Sequence, residues 1–119
     1  MAWREMYNKN NVFYKILRSE IPAEVIYEDD FALSFYDIHP RSRVHALAIT
    51  KGLYTDFGDF TANASPQEVV GFFKAVLQVA NILGVSLTGY RIFSNIGSDA
   101  GQEVPHFHMH LLGGEKLSP

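Results

Sequence analysis

The run His106-Phe107-His108-Met109-His110 constrains the fold of this 119-residue chain more than any other segment. Successive side chains of a strand point to opposite faces, so in a strand the three imidazoles line one side while Phe107, Met109 and Leu111 enter a core on the other. The chain must therefore build a sheet with one apolar face and one polar, titratable face. Only two further histidines exist, His39 and His45, and they flank or occupy another β-rich run, Val44 to Thr50, in which His45, Leu47 and Ile49 alternate. A lone strand histidine reads as structural, whereas three on one face point to chemistry.

The remaining elements follow from pattern. Val12, Phe13, Ile16 and Leu17 fall at helical spacing and predict a short helix that the Ile21-Pro22 pair ends. Val25 to Glu28, Ala32 to Tyr36 and Val44 to Thr50 read as three strands of a meander. Ser65-Pro66-Gln67-Glu68 is a helix start with a Ser cap, proline in the first turn and Glu three residues after the cap. Val69, Phe73, Val76, Leu77, Ala80 and Leu83 predict one apolar stripe along a long helix, with Gly84 as its stop. A strand from Tyr90 to Ser94, a loop from Asn95 to Pro105 and a last strand from His106 to Leu112 complete the chain. The expectation is an α+β fold, an antiparallel sheet of about five strands with one long and one short helix on one side.

Length and composition set the limits. One domain is expected over residues 12–119, preceded by a flexible N-terminal segment, 1–11. With 47% hydrophobic residues the chain can fill a core without staples, and it holds no cysteine, which removes disulfides, thiol nucleophiles and thiolate zinc sites. Ten Lys and Arg against 13 Asp and Glu give a net charge of -3, which argues against a nucleic-acid partner. No apolar run approaches a membrane span and the N-terminal residues do not resemble a secretory signal, so a cytoplasmic protein without a membrane partner is expected. The back of the long helix carries Val70, Phe72 and Val79, with Lys74 the only charge between Val69 and Leu83. That face predicts a homodimer contact.

Two chemistries suit an imidazole row. His-x-His on a strand, with His45, can offer nitrogens to a metal, but His106 and His110 stand about 13 Å apart along a strand and cannot share one ion. The other is nucleophilic catalysis, in which a neutral imidazole attacks phosphorus. The preceding loop, Asn95 to Val104, supports the second, because Gly97 and Gly101 allow sharp turns that aim N–H groups at an anion. Pro105 favours an extended Val104 and sets the strand entry.

The segment Gly101 to Gly114, GQEVPHFHMHLLGG, resembles the histidine triad (HIT) signature, and the trailing Gly-Gly is similar to its Hint branch. The likeness continues through Phe13 to Leu17, Glu20 to Ala23, Tyr27 to Asp30, Phe35 to Pro40 and Asn95 to Asp99, covering roughly residues 12–114. The resemblance implies a homodimeric nucleotide hydrolase or transferase that cleaves the P–N bond of purine nucleoside 5'-phosphoramidates and related adenylates, releasing AMP. It implies His108 as the nucleophile, forming a nucleotidyl-histidine intermediate, with His110 on the phosphoryl group and His45 and His106 supporting the imidazole network. Asn95 and the stretch Gly101, Gln102, Glu103 and Val104 would hold the phosphate, and Asp37 would accept from both ribose hydroxyls. Val12, Phe13, Ile16, Phe35 and Ile38 match the cleft that clasps the base, although periodicity alone reads most of them as core.

Three places depart from the family pattern. Asn11, Tyr14 and Leu53 stand where some relatives carry zinc ligands, so neither a metal nor any other cofactor is expected. Glu103 replaces a serine near the leaving group, which leaves the proton donor open. The sequence ends Leu117-Ser118-Pro119 rather than in a tryptophan-bearing tail, leaving leaving-group selectivity open. Two further readings remain: a dinucleoside polyphosphate hydrolase of the Fhit type using the same histidine, and a purine nucleotide-binding regulator that does not turn over.

Overall fold

The computed structural model describes residues 6–119. In chain order they form α1 (Val12–Leu17), β1 (Val25–Glu28), β2 (Ala32–Tyr36), β3 (Val44–Thr50), α2 (Phe57–Asn63), α3 (Pro66–Ile82), β4 (Tyr90–Phe93) and β5 (His108–Gly113), with a single 3-10 turn at Ser98–Ala100. The five strands make one antiparallel sheet in the order β1-β2-β3-β5-β4. The sheet and its strand assignment match the expectation. The expected flexible segment 1–11 lies partly outside the described residues, and two of its members, Tyr7 and Asn11, reappear at the functional site.

Alternation sends each strand's side chains to two different covers. Ala32, Ala46, Ala48, Phe107 and Leu111 meet Phe72, Ala75, Val76, Val79 and Ala80 of α3 together with Phe60 of α2. Leu33, Phe35, Leu47 and Ile49 meet Phe13, Ile16 and Leu17 on the opposite face. The helices therefore flank both faces of the sheet rather than one, because β2 and β3 are apolar at consecutive positions and a strand buried on both sides needs two covers. The small residues of the α3 face leave room for Phe60, Phe72 and Phe107, whose rings lie within 5.5 Å of one another.

Three further sequence expectations need correction. A third helix, α2, was not foreseen; Asp56 caps it by accepting from Asp59 N, and its short length leaves little periodicity to read. The last strand begins at His108, not His106, since the chain after Pro105 turns to bond Phe107 N to Tyr54 O before it joins β3. The α3 stripe is rotated: Phe72 and Val79 are buried within the chain and Leu77 is half exposed. Phe72, Ala75, Val76, Val79 and Ala80 fall at i, i+3, i+4, i+7 and i+8, a helical face as regular as the one expected. Their small alanines let the helix approach the sheet, and Gly71 packs directly under Phe31, where a Cβ would stand 2.4 Å from the ring. The start of α3 is as expected, with a complete capping box between Ser65 and Glu68.

Candidate active site

The face of β5 opposite α3 carries His108 and His110, with His106 just before the strand and His45 beside them on β3. All four are buried, and among the described residues every buried side-chain N or O atom has a hydrogen-bond partner. Those partners dictate where each proton sits, because a carbonyl can only accept and a main-chain N–H can only donate.

His108 Nδ1 lies 2.7 Å from the His106 carbonyl and must carry a hydrogen. The Nε2 of a neutral His108 then holds a lone pair, on the side of the ring away from the backbone. His106 Nε2 lies 2.8 Å from the Thr50 carbonyl and donates to it, which leaves Nδ1 to accept from the Tyr7 hydroxyl at 2.5 Å. The Tyr7 oxygen in turn accepts from Asn11 Nδ2, while Asn11 Oδ1 caps α1 by accepting from Tyr14 N. His45 Nδ1 accepts from the main-chain N–H of Arg41, so His45 carries its hydrogen on Nε2, 3.0 Å from His110 Nδ1 and 3.4 Å from Asp37 Oδ2. His110 Nδ1 is therefore an acceptor, and a neutral His110 presents Nε2–H as a donor.

Burial holds all four imidazoles in the neutral form. It is the largest cause of the lowered pKa at His45, His106, His108 and His110, reaching about 4 for His106 and for His110. For His110 the neighbouring His108, His45 and Arg41 lower it further, against the opposing pull of Asp37. A neutral row is what attack through a ring nitrogen requires.

A cavity of about 510 Å³ opens over this face, lined by His108, His110, Phe13, Leu47, Asp37, His39, Arg41, Asn95 and the stretch Ala100 to Val104. It gathers Phe13, Asp37, Asn95, Gly101, Gln102, Glu103 and Val104 of the expected set around the two histidines. His45 and His106 stand behind the wall as supports. Of the other expected apolar positions, Phe35 is buried beneath Phe13 with ring centres 5.7 Å apart, and Ile16 lines a separate cavity of about 340 Å³. Val12 is 39% exposed and Ile38 86% exposed, and neither lines the main cavity. His39, Arg41, Leu47 and Ala100 line it without having been foreseen. Phe93 was also missed; its ring stacks on His110 at 4.7 Å. Leu47 carried a signal as a member of the β3 alternation, His39 as a histidine flanking that strand and Ala100 as part of the loop from Asn95 to Val104, whereas Arg41 and Phe93 carried none.

The loop is braced from within. Gly97 and Gly101 both take positive φ, at 79° and 78°, which glycine reaches without a Cβ penalty. Gln102 Oε1 accepts from Gly97 N, and its Nε2 donates to Thr55 O and Val104 O. The amides of Gly101 and Gln102 close the turn on Ser98 O and Gly97 O. Among the described residues this leaves the Glu103 and Val104 amides as the donors of that stretch not spent within the loop.

Asp37, His45 and His110 bring ligand atoms within 4.8 Å of one another, the one grouping among the described residues with metal-site spacing. The nitrogens facing each other there already share the His45 Nε2 hydrogen, which an ion would have to displace.

The HIT domain model matches residues 18–117. The chain belongs to the HIT domain family. This HIT-domain chain is 50% identical over 113 residues to the uncharacterized 13.2 kDa HIT-like protein of Azospirillum brasilense, covering 95% of this chain and 93% of that one. It is 37% identical over 111 residues to the purine nucleoside phosphoramidase of Escherichia coli K12, covering 93% and 92%. Its fold superposes on a HIT family hydrolase from Clostridium thermocellum with a TM-score of 0.85 at 39% identity, covering 94% and 96%. A histidine triad protein from Clostridium difficile gives 0.86 at 36%, covering 96% and 98%. Among the described residues, no helix of this HIT-domain chain is long and apolar enough to cross a membrane.

Proposed function

We propose that the chain hydrolyses purine nucleoside 5'-phosphoramidates through a nucleotidyl-His108 intermediate, as a Hint-type member of the family. The observation that carries this reading is the bond from His108 Nδ1 to the His106 carbonyl, which leaves a neutral Nε2 lone pair at a cavity whose other walls suit a nucleotide. The likeness to the Escherichia coli purine nucleoside phosphoramidase supports it.

Attack by His108 Nε2 forms a P–N bond as the substrate's P–N bond breaks, so little bond energy separates the two sides. The departing nitrogen leaves as an amine and needs one proton, which would reach it from solvent through the exposed Glu103 carboxyl on the cavity wall; a neutral His110 would become an imidazolate if it gave up its one hydrogen, so it stays a hydrogen-bond donor. Water then bonds to phosphorus, the P–Nε2 bond breaks, and the water's hydrogen replaces the one lent. His110 Nε2–H, Asn95 and the Glu103 and Val104 amides replace solvent around the phosphoryl charge. Asp37, with acceptors only, suits the ribose hydroxyls, and Phe13 and Leu47 suit the apolar part of the nucleoside.

The homodimer belongs to the same proposal. Val70 and Leu77, seven residues apart on α3, are each about half exposed, and so is Ile92 on the edge strand β4. Large apolar groups on one helix face and a neighbouring sheet edge suit a second copy.

His108→Ala is the test of the nucleophile. Loss of about 1,000-fold or more in adenosine phosphoramidate hydrolysis is expected, since the acceptor nitrogens of His45, His106 and His110 are each engaged by a donor. Unchanged hydrolysis would reject the mechanism. Faster cleavage of a diadenosine polyphosphate than of the phosphoramidate would move the substrate to the longer class, and tight AMP binding with no turnover would make the site a sensor.

A further inference from the structure

Three observations meet at Arg41. Its residue lines the main cavity, its guanidinium carbon lies 5.7 Å from the centre of the Phe93 ring, and that ring is stacked on His110. The guanidinium is near enough to His110 and His45 to oppose their protonation. Arg18 and Lys51 each pair with a glutamate, whereas Arg41 pairs with no carboxylate among the described residues. A cation at a cavity wall that no carboxylate pairs within ion-pair distance is available to a ligand's anion. The main-chain N–H of the same residue is already committed to His45, so backbone and side chain serve different ends.

Strand order indicates which part of a ligand the charge would meet. Asp37 follows β2, and Phe13 covers β2 and β3, at one side of the cavity. His108 and His110 stand on β5, in the middle, and Phe93 stands on β4 beyond them. The layout rests on the reading above: with the nucleoside toward Asp37 and Phe13 and the phosphorus at His108, the Arg41 guanidinium lies past the phosphorus, where the leaving group departs. We infer that Arg41 is a specificity-determining residue that selects leaving groups bearing an oxyanion, the carboxylate of an amino acid joined to phosphorus through its nitrogen. A guanidinium presents a planar fork of donors that matches a carboxylate, and stacking over an aromatic ring holds that fork in orientation.

The decisive substrates are the adenosine 5'-phosphoramidates of glycine and of glycinamide, whose intrinsic difference in leaving ability is common to every variant and cancels when their kcat/KM ratio is compared between enzymes. The glycine-to-glycinamide ratio should fall by about five- to tenfold from wild type to R41Q, the size of one charge-assisted contact at a half-open site. In R41E it should fall further. Because Arg41 is exposed, neither variant removes a core contact. ADP supplies a phosphate leaving group as a further arm. If ADP outcompetes the glycine compound in an Arg41-dependent way, the carboxylate assignment is overturned in favour of phosphate. A ratio unchanged in R41Q, even with both rates lowered together, overturns leaving-group selection and assigns Arg41 to the phosphoryl group that both substrates share. Cleavage of none of the three overturns the hydrolase reading itself, and this inference with it.

Discussion

Burial of a neutral His106 makes stability depend on pH in a way that can be calculated. The ring is fully enclosed, and its pKa falls from 6.5 to about 4, chiefly through lost hydration. As pH drops below 6.5 the unfolded chain takes up a proton on this residue while the folded chain does not, so protonation drains the native state. The stability is fully present above pH 6.5 and is lost as pH falls toward 4. From the linkage relation, the loss attributable to His106 is about 2 kcal/mol at pH 5 and about 3 kcal/mol at pH 4. His106→Gln keeps a donor of comparable reach but cannot titrate. Urea unfolding of wild type and variant at pH 7, 6, 5 and 4 isolates the difference, and other histidines cancel to first order. At pH 7 the wild type should be the more stable, for the Tyr7 and Thr50 bonds fit imidazole. That advantage should shrink by about 3 kcal/mol by pH 4. An advantage that stays constant across the series would show that His106 titrates alike in both states and would refute the burial argument.

Two further outcomes follow from the same geometry. Tyr7→Phe leaves the buried His106 Nδ1 without its donor and Asn11 Nδ2 without one acceptor, and should cost about 1–3 kcal/mol by urea unfolding at pH 7; no measurable cost would remove Tyr7 from the network. The dimer face should yield to Leu77→Glu, which places a charge beside Val70, so light scattering should give twice the chain mass for wild type and the single-chain mass for the variant; a wild type at 13.4 kDa would overturn the dimer.

Much of this molecule could be read locally. The period-two pattern placed Phe107, Met109 and Leu111 on the core side and the imidazoles opposite; Phe107 and Leu111 are buried in the core, Met109 packs against it only partly buried, and His106 lies just ahead of the strand. Strands β1, β2 and β3 and the Ser65 capping box depend on neighbours within a few residues, where side-chain alternation and cap chemistry act. The face of α3 was less legible, because Val69, Phe73 and Leu77 are as apolar as Phe72, Val76 and Val79, and only the surface of the sheet selects between two such stripes.

Residue types and order alone determined that histidines would gather on a sheet face beside a glycine-bearing loop. Their protonation was decided elsewhere: for His106 by a carbonyl of Thr50 and a hydroxyl of Tyr7, 56 and 99 residues away, and for His110 by His45, 65 residues away, whose own hydrogen is placed by the main-chain N–H of Arg41. The same holds for Arg41 and His39, which line the cavity from the connection between β2 and β3, and for Phe93, which stacks on His110 only because β4 lies beside β5. A hydrogen bond or an electrostatic field depends on distance in space, and folding sets that distance without regard to separation along the chain.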